Sequence, residues 1–235
     1  MVFEGEKTEK IIFDNLKQYF LHENPNTIIY GFHCGEIYSL YHKLEKDEDL
    51  KLFSLLKENL EHKNPELSSI QPSQVSEIYM FFDYDSHASG AEIDKLKAML
   101  NLFDNETENG KLYISYPMVE AIKHLKTDVD FKDTVAISQK EYKSIVLANC
   151  DESYKLLRDL SHNDWSIIIS ENCKKLGFIM IDNFEFLNSF VKQIEILSKQ
   201  EEKYIINNHV AVLSAFPIFL VDYYGYEKIS EIIEV

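Results

Sequence analysis

The run Ile78-Tyr79-Met80-Phe81-Phe82 constrains this chain more than any other stretch. It is nearly continuous in apolar residues, without the alternation of a strand that has one wet face. A strand of that kind is buried on both faces, as in a parallel sheet covered by helices. It closes in Asp83-Tyr84-Asp85-Ser86-His87. In extended backbone, residues i and i+2 point to the same side, so Asp83 and Asp85 project together. Carboxylates that share a direction at the end of a buried strand suit a hard cation. Magnesium takes oxygen ligands, keeps several waters, and is held by one or two carboxylates plus a substrate phosphate. Glu4 follows the short apolar stretch Val2-Phe3 and precedes Gly5, which places it to act as a base or as a further ligand. Together these residues point to a metal site that handles phosphodiesters.

Local patterns extend the α/β reading. Residues 1–4 read as a strand and 7–21 as a helix, with Ile11, Ile12, Leu16 and Phe20 at helical spacing. Residues 27–32 read as the next strand, 37–62 as one or two helices carrying the charged run Asp47-Glu48-Asp49, and 65–74 as a polar loop. Residues 77–83 form the central strand and 91–103 an amphipathic helix. A turn over 104–110 leads into a strand at 111–115, and Pro117 opens a helix at a position where its missing N–H costs nothing. Strand and helix in alternation describe a mostly parallel sheet with right-handed crossovers. From residue 139 the pattern turns helical, over 140–148, 152–161, 164–176, 183–199 and 218–233.

Glu4-Gly5 after a first strand, followed by a helix and then by Asp83-Tyr84-Asp85 after an apolar strand, resembles the TOPRIM domain. Within that family the wording around Glu4-Gly5-Glu6-Lys7-Thr8-Glu9 and Phe82-Asp83-Tyr84-Asp85 is similar to stand-alone proteins of bacterial anti-phage and abortive-infection systems, of the RloB and AbiL type and the nuclease subunit of the PARIS system. The resemblance covers roughly the first 125 residues and implies a Rossmann-like TOPRIM domain over 1–135, with a helical insertion at about 35–75; the helical pattern that follows reads as a subdomain over 136–235. The resemblance implies Mg²⁺ (or Mn²⁺) as cofactor, held by Glu4, Asp83 and Asp85. RNA, tRNA or DNA is the implied substrate, and an AAA/ABC-type ATPase the implied partner. Lys7 would neutralise the transition-state phosphate, or simply pair with Glu6 or Glu9. Tyr116-Pro117-Met118-Val119-Glu120 is similar to an Asn-Pro-x-Phe-Glu element of the RloB-like proteins, so Glu120 becomes a candidate ligand of a second metal, or simply an acid that suits a helix N-terminus. Ser86, His87, Lys123 and His124 rank behind these.

Charge works against a free-standing nuclease. The formal net charge is −16, whereas nucleic-acid binders normally carry a basic stripe that neutralises phosphate. Bound metal, a local basic patch or a basic partner that delivers the substrate would each reconcile the two. Cys34, Cys150 and Cys173 are widely spaced, with no Cys-x-x-Cys, which predicts reduced thiols and neither a zinc site nor a disulfide framework. Acidic residues interrupt the first segment, and the most apolar stretch, residues 210–221, falls short of the ~20 residues of a membrane span, so a cytoplasmic protein is expected. Neither a phosphate-cradling glycine loop nor a nucleophile elbow is present. The competing readings are a non-catalytic subunit that docks its acidic surface on an ATPase, a primase-like or phosphotransferase enzyme using the same acids, and an α/β domain of other purpose.

Overall fold

The computed structural model describes residues 1–22, 26–34, 37–46, 51–62, 64–84, 90–137, 139–187 and 189–233. The chain divides into two compact units, residues 1–82 with 94–112 and residues 83–93 with 113–235. The sequence reading drew a single boundary at residue 135.

In chain order, the first elements are β1 (Val2–Phe3), α1 (Thr8–Tyr19), β2 (Phe32–His33), α2 (Ile37–Lys46), α3 (Leu52–Leu60), α4 (Glu66–Ser69), β3 (Tyr79–Asp83), α5 (Gly90–Leu102), β4 (Asp104–Asn105) and β5 (Gly110–Ser115). The strands form one sheet in the order β2-β1-β3-β5-β4. β1 runs parallel to both β2 and β3, and β4 is antiparallel to β5. β3 is therefore central, and Met80, Phe81 and Phe82 are buried as their run of apolar side chains requires. Val2 lies opposite Phe32 on one side and Met80 on the other, and Phe3 opposite His33 and Phe81. The Phe3 ring packs against Phe81 and against Phe13 of α1, each at 5.6 Å between centroids, which seats the helix on the sheet.

Three local readings need correction here. The strand expected over 27–32 is paired only at Phe32–His33, because the β1 edge it follows is itself two residues long. The loop expected over 65–74 holds α4 and a 3-10 turn at Pro72–Gln74, where the Gln71 amide donates to Gln74 Oε1 at 2.7 Å. The turn over 104–110 is a hairpin, with Asp104 opposite Lys111 and Asn105 opposite Gly110. The charged run Asp47-Glu48-Asp49 lies outside the described residues.

The second unit contains β6 (Val135–Ala136), α6 (Gln139–Asn149), α7 (Glu152–Lys155), α8 (His162–Ile181), α9 (Gln193–Lys203), β7 (Val210–Ala211), α10 (Ala215–Tyr224) and α11 (Tyr226–Ile232). Its core is the long helix α8, where Trp165, Ile168, Ile169 and Ile179 are fully enclosed. Ser161 begins α8 through a capping box: its hydroxyl accepts from the Asp164 amide, and Asp164 Oδ2 accepts from the Ser161 amide at 2.8 Å. The helix expected over 183–199 starts only at Gln193. α8 stops at Asp182 in a left-handed conformation (φ 58°), and Glu195 caps the new start by accepting from the Lys192 amide. The helix expected over 218–233 is split at Gly225, whose φ of 78° and ψ of 157° belong to a backbone region open essentially to glycine alone. β6 and β7 pair antiparallel and were not foreseen, since two-residue strands carry no periodicity.

Buried amides satisfy the backbone that these short strands leave open. Gln200, with no exposed surface, accepts from the Ala211 amide at 2.9 Å and donates to the Ala211 carbonyl at 2.8 Å, acting as a third strand beside β7. Asn172 accepts from the Ser214 amide at 2.8 Å, and Gln193 from the Ile114 amide at 3.3 Å. The Lys175 ammonium, also fully enclosed, donates to the carbonyls of Phe131, Lys132 and Thr134, matching its three N–H bonds to three oxygens. Among the described residues, no helix is long and apolar enough to cross a membrane. Gln200→Leu leaves both Ala211 groups without a partner, so urea denaturation is expected to show a loss of about 2–4 kcal/mol, since each buried unsatisfied group costs roughly 1–3 kcal/mol.

Candidate functional site

The chain leaves the sheet at Glu4. Its amide still donates to the Phe81 carbonyl at 3.1 Å, and beyond it the backbone turns into α1. The Gly5 amide donates to Glu9 Oε1 at 2.8 Å. A Cβ on Gly5 would stand 2.3–2.4 Å from the Glu9 carboxylate oxygens, so residue 5 is glycine because a buried carboxylate lies against its α-carbon. Glu9 is only 5% exposed and belongs to the first turn of α1, where the helix dipole favours an anion. Sequence reasoning passed over Glu9; the signal was the spacing Gly5-x-x-x-Glu9. Glu4 is half-buried and Lys7 is exposed. Lys7 precedes the first turn of α1, where its carbonyl accepts from the Ile11 amide at 3.2 Å.

Asp83 is the last residue of β3 and is half-buried. β1 and β3 are adjacent and parallel, and Glu4 follows the C-terminal end of β1, the kind of edge where ligand crevices form in open α/β sheets. Asp85, Ser86 and His87 lie outside the described residues. Among the described residues, no group of three or more His, Cys, Asp or Glu side chains is placed to hold a metal ion.

Glu120 belongs to the second unit. Pro117 does not open an α-helix: the Tyr116–Pro117 peptide is cis, Met118 is extended, and a 3-10 turn runs from Val119 to Lys123. Glu120 is 8% exposed, and its Oε1 lies 3.1 Å from Lys143 Nζ. Oε2 is buried and has no hydrogen-bond partner among the described residues. Tyr142 lies close by; its hydroxyl titrates far above the usual phenol range, first through burial and then through the Glu120 charge. His124 Nδ1 is 3.0 Å from the Tyr142 hydroxyl, and the two rings meet edge to face. Burial, followed by repulsion from Lys175, lowers His124 to about 4. His124 is thus a neutral packing partner of Tyr142, and Lys123 is half-exposed. Glu4 and Lys7 fall in the first unit, and Asp83 and Glu120 in the second.

The three cysteines are free, with Cys150 and Cys173 buried and Cys34 half-buried. Burial raises the Cys34 thiol to about 11, which makes it a poor nucleophile. No protein-family model matches this chain, nor does any curated protein or any solved structure.

Two measurements probe this arrangement. Gly5→Ala must displace the Glu9 carboxylate, the far end of a flexible side chain, and is expected to cost about 1 kcal/mol in chemical denaturation, the scale of the lost Gly5–Glu9 hydrogen bond. His124 is held at about 4 in the fold against an ordinary 6.5, so the native state binds fewer protons. Stability should therefore fall as pH drops from about 6.5 to about 4 and level off below. A pH series of melts on the native chain and on His124→Gln isolates that contribution.

Proposed function

We propose that this chain is a Mg²⁺-dependent nuclease of the TOPRIM type, the toxic effector of a bacterial anti-phage or abortive-infection system acting in the cytoplasm. The observation that carries the reading is the position of Glu4 directly after β1, its amide still bonded to Phe81 of the parallel neighbour β3, with the backbone beyond it pinned by the Gly5–Glu9 bond. Carboxylate oxygens are the donors a hard cation takes. Mg²⁺ or Mn²⁺, when bound, polarises the scissile phosphate and stabilises the departing oxygen. In this reading Asp83 and Asp85 hold the ion. Glu4 completes its ligands or orients the attacking water and takes its proton. Lys7, exposed at the start of α1, meets a phosphate oxygen of the substrate. Glu120 would serve a second ion only by giving up Lys143.

In this reading a basic partner that brings RNA, tRNA or DNA to this surface offsets the net charge of −16, and an ATPase subunit of the AAA or ABC type is the proposal for it. The same charge favours a second reading, a non-catalytic subunit that docks on such an ATPase.

A cleavage assay separates the two. The native chain and Glu4→Ala are incubated with tRNA, single-stranded RNA and duplex DNA, in Mg²⁺, in Mn²⁺ and in EDTA, and both are expressed in bacterial cells with growth as the readout. Metal-dependent cleavage that drops at least ~100-fold in Glu4→Ala, the scale of a lost general base, is the expected result. Biological activity that survives Glu4→Ala would favour the docking subunit and overturn the nuclease.

A further inference from the structure

α8, α10, α11 and the segment before α9 line an open hollow of about 80 Å³. Its floor is made of Cys173, Leu176, Val191, Ile218 and Val221, all buried. Its rim carries Phe190, Asp222, Gly225 and Tyr226. A mostly apolar concavity with a few converging polar groups is the usual form of a small-molecule site. Nothing in the metal-site reading uses it.

The lining selects among ligand classes. Among the described residues that line it, Asp222 is the one charged side chain. The Tyr113 hydroxyl donates to Asp222 Oδ2 and fixes the carboxylate from below. That bond does not exhaust the group, because an ionised carboxylate accepts at about four lone-pair positions. Tyr226 lies close enough to Asp222 and Cys173 to feel both; burial first, then these neighbours, push its phenol up to about 12, so it stays protonated at neutral pH. Its oxygen makes no hydrogen bond among the described residues. Phe190, half exposed, presents an aromatic face at the mouth, a surface that attracts cations. A Cβ at Gly225 would meet nothing within 4 Å, so this wall is open. An anion would face Asp222 inside a chain whose net charge is −16. A purely apolar ligand would fill the floor and leave the polar rim to water.

We propose that this cavity binds a small organic ammonium ion with a short apolar tail. The tail lies on Leu176, Val191, Ile218 and Val221. The ammonium group donates to Asp222 and to the Tyr226 oxygen beside the Phe190 ring.

The test uses the full chain and three probes of matched size, phenethylamine, 2-phenylethanol and 3-phenylpropanoate, read by saturation-transfer NMR and by calorimetry. The amine is expected to bind at least about tenfold more tightly than the alcohol, the scale of one charge-assisted hydrogen bond, and the acid not at all. Asp222→Asn keeps an acceptor for Tyr113 and should bring amine and alcohol level. Phe190→Ala should weaken the amine more than the alcohol, because only the cation loses an attraction to the ring. Val191→Phe fills the floor and should abolish binding of both. Equal affinity for amine and alcohol in the native chain, amine binding that survives Val191→Phe in a variant with a native melting profile, or no binding of any probe would each overturn the proposal.

Discussion

Val2 and Phe3 are hydrogen-bonded along both edges, to β2 on one side and β3 on the other. An isolated two-residue strand has no stability of its own. Flanked on both sides, and with the Phe3 ring wedged between Phe13 and Phe81, it becomes as fixed as the central strand it follows. The direction in which Glu4 departs, the start of α1 and the burial of Glu9 all descend from that register. The apolar run of β3 is what makes the double pairing possible, since a strand with a wet face could not be covered by helices on both sides.

The second unit solves a different problem. Its strands are too short to satisfy their own polar groups, and buried side chains complete the hydrogen bonding. Gln200 doubles for a strand beside Ala211, Asn172 holds Ser214, and Lys175 gathers three carbonyls of the segment 131–134. Burial lowers the Lys175 ammonium to about 7, against the pull of Asp133 and Asp130. A fully enclosed lysine is therefore tolerated only because its donors are all used. Such polar contacts specify one arrangement of helices, where apolar packing alone would accept several.

The α/β class and the mostly parallel sheet were legible, because Ile78-Tyr79-Met80-Phe81-Phe82 has the composition of a strand covered on both faces and α1 repeats its apolar residues at helical spacing. Helix ends in the second unit were legible only in part. A break near Asp182 was expected, but the late start of the next helix at Gln193 was not, and Gly225 ends α10 through a backbone angle while the apolar pattern runs on past it. The hydrogen-bonded strand Val210–Ala211 was hidden inside a stretch that reads as uniformly apolar. Within the candidate site, Glu4 and Asp83 could be placed at strand ends from pattern alone, but Glu9 could not, because its contact with Gly5 depends on the angle at which α1 meets β1. Lys143 reaches Glu120 across residues that share no local pattern.

The Gly5–Glu9 contact also sets what can visit the corner between β1 and α1. A free backbone amide at a helix start attracts phosphates and carboxylates from solution. Here that amide already has an anion, tethered four residues away and shielded from water. A tethered group competes at an effective concentration in the millimolar range or above, whatever the solution holds. Small anions in the cell are thus kept off this amide by the chain itself.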